Sequence, residues 1–220
     1  MLAVENLNRR KFLLPRFYPI LDTETAARRG VDLADAAAQI LGGGAQILQL
    51  RHKGFFSRAM FDSMAAIAEL CRSAGVRFVV NDRADFARLL GAGLHLGQED
   101  LLPLDARRVV GGDAFVGFST HNEDQLLAAA GEPADYLALG PIFGTVSKLN
   151  PDPVVGLAEF GRLRALTARP LVAIGGISRG NALAVLGAGA DSVAVIGDLF
   201  PGEGGLESRV AEWVALLTSA

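Results

Sequence analysis

Three cations, Arg51, Lys53 and Lys148, and two acids, Asp82 and Asp100, are the side chains of this sequence best suited to chemistry on a charged small molecule. Alone, Asp100 reads as a helix cap or a solvated acid. Paired with Asp82, it fits a hard cation such as Mg2+, which takes one or two carboxylates and fills its shell with phosphate and water. Three cations beside such an ion match a di- or triphosphate. A second set is glycine-rich: Ala173-Ile174-Gly175-Gly176-Ile177 and Val195-Ile196-Gly197 offer backbone N–H groups that cradle a monophosphate, the plainer reading being a tight turn. Lys148 follows Thr145 and Ser147, a setting that suits phosphate binding better than a Schiff base. His121 reads as a positioning group rather than a general base, and Cys71 as inert core.

These residues need elements that bring them together. Short apolar runs over Phe17–Asp22, Ile47–Lys53, Arg77–Asp82, Leu94–Gly97, Phe115–Ser119, Tyr136–Ile142, Leu171–Gly175 and Ser192–Ile196 read as strands. Several are continuous, such as Phe78-Val79-Val80, as in parallel strands covered on both faces. Helix-period segments alternate with them: Asp32–Leu41, a stretch from the capping Ser57 to Gly75, then Asp85–Leu90, Leu104–Val110, Glu123–Ala130, Leu157–Leu166, Arg179–Leu186 and Leu206–Leu217. Eight strand–helix units at about 27 residues each predict an α/β fold, a single (β/α)8 TIM barrel over residues 1–220 with 1–16 as an N-terminal extension. A doubly wound sheet is the rival, but no Gly-x-Gly-x-x-Gly follows the first strand. In a barrel the strand C-termini share one face, and Asp22, Arg51, Lys53, Asn81, Asp82, Ser119, Thr145 and Lys148 all fall at or just beyond such ends.

Composition narrows the function. The 220 residues carry 21 basic and 24 acidic side chains, so the overall field favours neither nucleic acid nor an anionic membrane. One cysteine excludes a disulfide framework and a Cys-rich zinc site. No apolar run approaches a membrane span, and Phe12-Leu13-Leu14 is too short for a secretory core. The expectation is a cytoplasmic enzyme with small-molecule partners and neither nucleic acid nor membrane; a homo-oligomer stays open.

Six motifs in order resemble the thiamine-phosphate synthase family: Gln49-Leu50-Arg51-His52-Lys53; Val80-Asn81-Asp82-Arg83; Leu94 to Leu101, which reads LHLGQEDL; Gly117-Phe118-Ser119-Thr120-His121; Gly140-Pro141-Ile142-Phe143-Gly144-Thr145; and Ala173 to Ile177. The resemblance implies a Mg2+-dependent transferase joining 4-amino-2-methyl-5-(diphosphooxymethyl)pyrimidine to a thiazole phosphate, releasing diphosphate. It implies that Gln49, Leu50, Arg51, His52, Lys53, Asn81, Ser119 and Lys148 hold the pyrimidine diphosphate. Arg51, Lys53 and Lys148 would be the catalytic cations, and Asp82 and Asp100 would carry Mg2+. Thr145, Val146, Ser147, Gly176, Ile196 and Gly197 would hold the thiazole phosphate.

The family's Thr-x-Thr-Lys stands here as Thr145-Val146-Ser147-Lys148, and its serine after the eighth strand is Gly197, followed by Asp198. An inward-facing Asp198 would repel a phosphate. Two further readings are a thiazole tautomerase on the same barrel, for which His121 would matter most, and a non-catalytic phosphate-binding barrel. The cationic and acidic set argues for the transferase.

Overall fold

The computed structural model describes residues 14–145, 152–200 and 205–218. Eight strands, β1 (Phe17–Asp22), β2 (Ile47–Arg51), β3 (Arg77–Asn81), β4 (Gly93–Leu96), β5 (Val116–Thr120), β6 (Tyr136–Leu139), β7 (Leu171–Ile174) and β8 (Ser192–Val195), close into a barrel in chain order. Every neighbouring pair is parallel, including the β1–β8 closure that sets Phe17 beside Val193.

Helices α1 (Thr23–Arg28), α2 (Leu33–Gly42), α3 (Arg58–Ser73), α4 (Ala84–Leu90), α5 (Pro103–Val110), α6 (Glu123–Ala128), α7 (Leu157–Arg164), α8 (Ala182–Gly187) and α9 (Leu206–Thr218) lie between and after the strands. Ser57 caps α3 as its position predicts, accepting from the Met60 backbone N–H at 3.1 Å. Helix α1 is an addition to the expected set. Asp22, the last residue of β1, turns directly into its cap and accepts from both the N–H and the hydroxyl of Thr25, at 2.9 and 2.7 Å.

Strand alternation divides the core into two layers. The outer layer, between sheet and helices, takes Leu21, Leu48, Leu50, Val80, Leu94, Leu96, Leu137 and Val193, with Phe17 stacked on Trp213 of α9 at 5.4 Å between ring centroids. The inner layer fills the barrel with Tyr18, Ile20, Ile47, Val79, Phe115, Tyr136, Ala138, Val172 and Ala194. Along β2 the same alternation that places Ile47 inside places Gln49 and Arg51 inside and Leu50 outside. The side chain of Leu50 therefore packs in the outer layer, and a ligand at the mouth meets this residue through its backbone alone.

Candidate active site

At the C-terminal end of β1 and β2, Asp22 and Arg51 are register partners, and the guanidinium donates to the buried carboxylate at 2.6 Å. With its other oxygen held by Thr25, Asp22 fixes the direction of Arg51 while most of its own charge is satisfied. His52 turns sideways: Nδ1 lies 2.8 Å from the Thr23 hydroxyl and Nε2 3.2 Å from the Phe55 carbonyl, so both ring nitrogens hold the loop after β2.

Lys53, in that same loop, donates to Asp82 Oδ2 at 2.5 Å. Asp82 sits just past β3 in a left-handed conformation with φ 66°, its N–H bonded to the His95 carbonyl at 2.8 Å. That backbone turn aims the acid across to the loop after β4, where Asp100 is folded back by an N–H bond from Gly97 at 2.7 Å. Burial, and after it the Asp100 carboxyl facing it, pushes Asp82 up to about 6 against the pull of Lys53. Two crowded acids of this kind are an incomplete site for a cation. Among the described residues no group of three or more His, Cys, Asp or Glu side chains is arranged to hold a metal. The pair therefore fits a Mg2+ ion that draws its remaining ligands from phosphate and water, and fits poorly an ion that needs a closed protein cage.

Asn81 and His95 are register partners on β3 and β4. Asn81 is only 6% exposed, and its amide Nδ2 is buried without a hydrogen-bond partner among the described residues. A donor left orphaned at the base of a mouth is a group waiting for an acceptor. Ser119, at the end of β5, takes a bond between its Oγ and His95 Nε2 at 2.9 Å, and Gln98 donates to its carbonyl at 2.6 Å. Burial holds the His95 imidazole down to about 4, so it is neutral. Gln49 is 2% exposed and donates to the Tyr18 hydroxyl at 3.1 Å.

On the opposite side of the mouth, the loop after β6 runs against the loop after β7, with Phe143 N–H bonded to the Gly175 carbonyl at 3.0 Å. Gly176 has φ 63°, and a Cβ there would lie 2.5 Å from the Gly144 carbonyl oxygen. Only glycine fits, and its exposed backbone faces the same rim as Thr145. Gly197 opens a one-turn 3-10 segment after Ile196, and its backbone is exposed. Asp198 is paired with Arg179, whose Nε lies at 3.2 Å, and with Arg209 at 3.7 Å. The feared repulsion is thus neutralised by two guanidinium groups.

The structure gathers Arg51, Lys53, Asn81, Asp82, Asp100 and Ser119 at neighbouring strand ends, with Thr145, Gly176, Ile196 and Gly197 on the ends of β6 to β8. Val146, Ser147 and Lys148 lie outside the described residues. Sequence reasoning gave no role to Tyr18, His95 and Tyr136, although each interrupts an apolar strand with a polar atom that must find a partner.

Residues 17–199 match the sequence profile of a family described as thiamine monophosphate synthase. The chain belongs to that family. It is 46% identical over 209 residues to the thiamine-phosphate synthase of Koribacter versatilis, covering 94% of this chain and 97% of the relative. The thiamine-phosphate synthase of Methanoculleus marisnigri is 41% identical over 196 residues, with 86% and 93% covered. Among solved structures, the thiamine phosphate pyrophosphorylase of Pyrococcus furiosus superposes with a TM-score of 0.81 at 30% identity, covering 93% of this chain and 96% of that one. These relatives are named thiamine-phosphate synthase, a transferase, and the enzyme class is a transferase.

Proposed function

We propose that the barrel mouth joins the pyrimidine diphosphate to the thiazole phosphate and releases diphosphate, and that the residues gathered there divide this work between two anion sites. The observation that carries the division is the meeting of Lys53, Asp82 and Asp100 beside Arg51, on the side of the mouth away from the Gly176 and Gly197 backbone. Arg51, held straight by Asp22, and Lys53 bind the diphosphate and take up the charge it gains as its bond to the pyrimidine methylene carbon breaks. Asn81 offers its orphaned N–H to the same substrate, and Ser119 its hydroxyl. Asp82 and Asp100 would hold Mg2+, which when bound supplies charge neutralisation to the leaving group.

The thiazole phosphate would rest on the exposed backbone of Gly176 and Gly197, and on that of the half-buried Ile196, with the Thr145 hydroxyl. That placement fixes the thiazole nitrogen for attack on the methylene carbon, a contribution of orientation rather than of a protein nucleophile. Such a reaction needs no catalytic triad. The tautomerase reading would lean on His121, but its Nδ1 is tied to the Gly140 carbonyl at 2.6 Å and its Nε2 faces Asp152 at 3.5 Å. The two phosphorylated substrates also suit the cytoplasmic setting expected from the sequence.

The test is formation of thiamine phosphate from both substrates with Mg2+. Replacing Asp82 by Asn should lower turnover about a hundredfold or more, the scale of one lost preorganised electrostatic group. A variant that keeps the wild-type rate removes Asp82 from the mechanism.

A further inference from the structure

Five polar side chains from five strands form one continuous hydrogen-bonded chain through the barrel interior. Gln49 Nε2 donates to the Tyr18 hydroxyl at 3.1 Å, Tyr18 and Tyr136 meet hydroxyl to hydroxyl at 2.8 Å, Tyr136 lies 2.8 Å from His95 Nδ1, and His95 Nε2 lies 2.9 Å from Ser119 Oγ. Four of the five are buried, and Ser119 alone reaches the mouth. Around them the barrel is filled by Ile20, Ile47, Val79, Phe115, Val172 and Ala194, the apolar packing usual for such an interior.

Room has been made for this chain. A Cβ on Gly117 would fall on the Tyr136 ring and its hydroxyl, so the aromatic side chain occupies the space an inward residue of β5 would take. The ring is also stacked between Phe115 at 5.0 Å and His95 at 5.6 Å. A hydroxyl fixed this firmly has one position in which to bond.

The order of the hydrogens follows from the amide end. The Gln49 NH2 can only donate, so the Tyr18 oxygen accepts there and its own hydrogen goes to Tyr136. Tyr136 in turn donates to His95 Nδ1. Neither ring partner is an acid, so the imidazole is neutral, and an accepting Nδ1 places the hydrogen on Nε2. Nε2–H then donates to Ser119 Oγ. The reversed order would leave the buried Tyr18 hydrogen pointed at an amide NH2, without an acceptor.

We propose that Tyr18 and Tyr136 are positioning residues that act through the tautomer of His95 on Ser119, leaving the serine hydrogen free to donate into the mouth toward the substrate's anionic group. Because Ser119 accepts from below, its own donation is strengthened by the chain behind it. Its partner gains negative charge as diphosphate departs, so the bond counts for more in the transition state than in the bound substrate. The effect on turnover rests on the proposed function, whereas the hydrogen order does not.

Nitrogen-15 NMR of histidine-labelled protein tests the order directly. The chain has three histidines, and single His52→Gln and His121→Gln variants leave the His95 signals assigned by elimination. Wild type should show His95 with a bare Nδ1 and a protonated Nε2; the opposite tautomer overturns the proposal whatever the enzyme does. Tyr136→Phe, and Tyr18→Phe as a second variant farther from the mouth, should shift this tautomer signal.

Kinetics then test the action on Ser119. Tyr136→Phe should lower kcat about tenfold with KM for the pyrimidine diphosphate within about twofold, the scale of one neutral hydrogen bond lost in the transition state. In a Ser119→Ala background the same change should lower kcat no further. Additive losses, or a drop in both backgrounds that follows melting temperature, would reduce Tyr136 to packing. If wild type forms no thiamine phosphate at all, the proposed function fails while the NMR result still decides the hydrogen order.

Discussion

Asp22 and Arg51 face each other across the first two strands, and the 2.6 Å contact between them is the step by which a buried acid sets the direction of the guanidinium at the barrel mouth. The acid is 1% exposed and the guanidinium 15%, so removing the charge strands a partly buried cation. Asp22→Asn keeps a cap acceptor for Thr25 and deletes the charge. Stability should fall by about 1–3 kcal/mol, the worth of a charge-assisted bond, read as a lower urea midpoint with unchanged slope. KM for the pyrimidine diphosphate should rise in the same variant. Equal midpoints for variant and wild type would show that the pair contributes nothing.

The crowding of Asp82 against Asp100 carries a pH signature. An acid raised from 3.8 to about 6 on folding binds more protons in the folded state between those values, so stability without metal falls as pH rises through that window. A tenfold change in proton affinity is worth about 1.4 kcal/mol. Asp82→Asn removes the effect, and asparagine tolerates the φ of 66° at this position. Metal-free wild type should lose stability relative to Asp82→Asn between pH 4 and 6.5, on the order of 1–3 kcal/mol. Millimolar Mg2+ at pH 7 should restore it in wild type alone. Thermal melts of the two proteins across pH, with and without the ion, check both statements, and parallel curves would contradict them.

Much of the barrel was legible because its strands are short, apolar and bounded by polar ends. β1 runs from Phe17 to Asp22 as expected, and β3 and β8 begin where the apolar runs at Arg77 and Ser192 begin. β2 stops at Arg51 rather than Lys53, since His52 bonds sideways to Thr23 and turns the chain away. Helix α1 was illegible: six residues rich in threonine have no apolar stripe, and its cap belongs to the preceding strand. The charged rim could be read from residue type at strand ends. The polar chain inside could not, because Tyr18 and Tyr136 are 118 positions apart and meet only when β1 and β6 stand across one barrel.

Gly197 replaces the hydroxyl that the family carries after β8, yet space for a side chain remains, with no atom of the described residues within 4 Å of the Cβ position. Asp198, tied to Arg179 and Arg209, need not move to admit one. Gly197→Ser should therefore add a donor beside the proposed thiazole-phosphate site and lower the KM of that substrate by about three- to tenfold, the range of one net hydrogen bond. Since the bond forms equally in bound substrate and transition state, kcat should stay within about twofold. A raised KM would mean that the added hydroxyl obstructs the phosphate instead of holding it.

Gly117 is the position at which the inner polar chain is most exposed to a single substitution. A methyl group there meets the Cζ, Cε1 and Oη atoms of Tyr136, which is stacked on Phe115 and His95 and has no rotamer to retreat into within the filled barrel. Gly117→Ala combines overpacking, at about 1–3 kcal/mol, with the displacement of a hydroxyl that bonds both Tyr18 and His95. The urea midpoint should drop accordingly. Tyr136→Phe should fail to rescue it, because two of the three colliding atoms are ring carbons that phenylalanine keeps. Rescue by Tyr136→Phe would place the conflict at the hydroxyl alone, and an unchanged midpoint would mean the ring has more room than its neighbours allow.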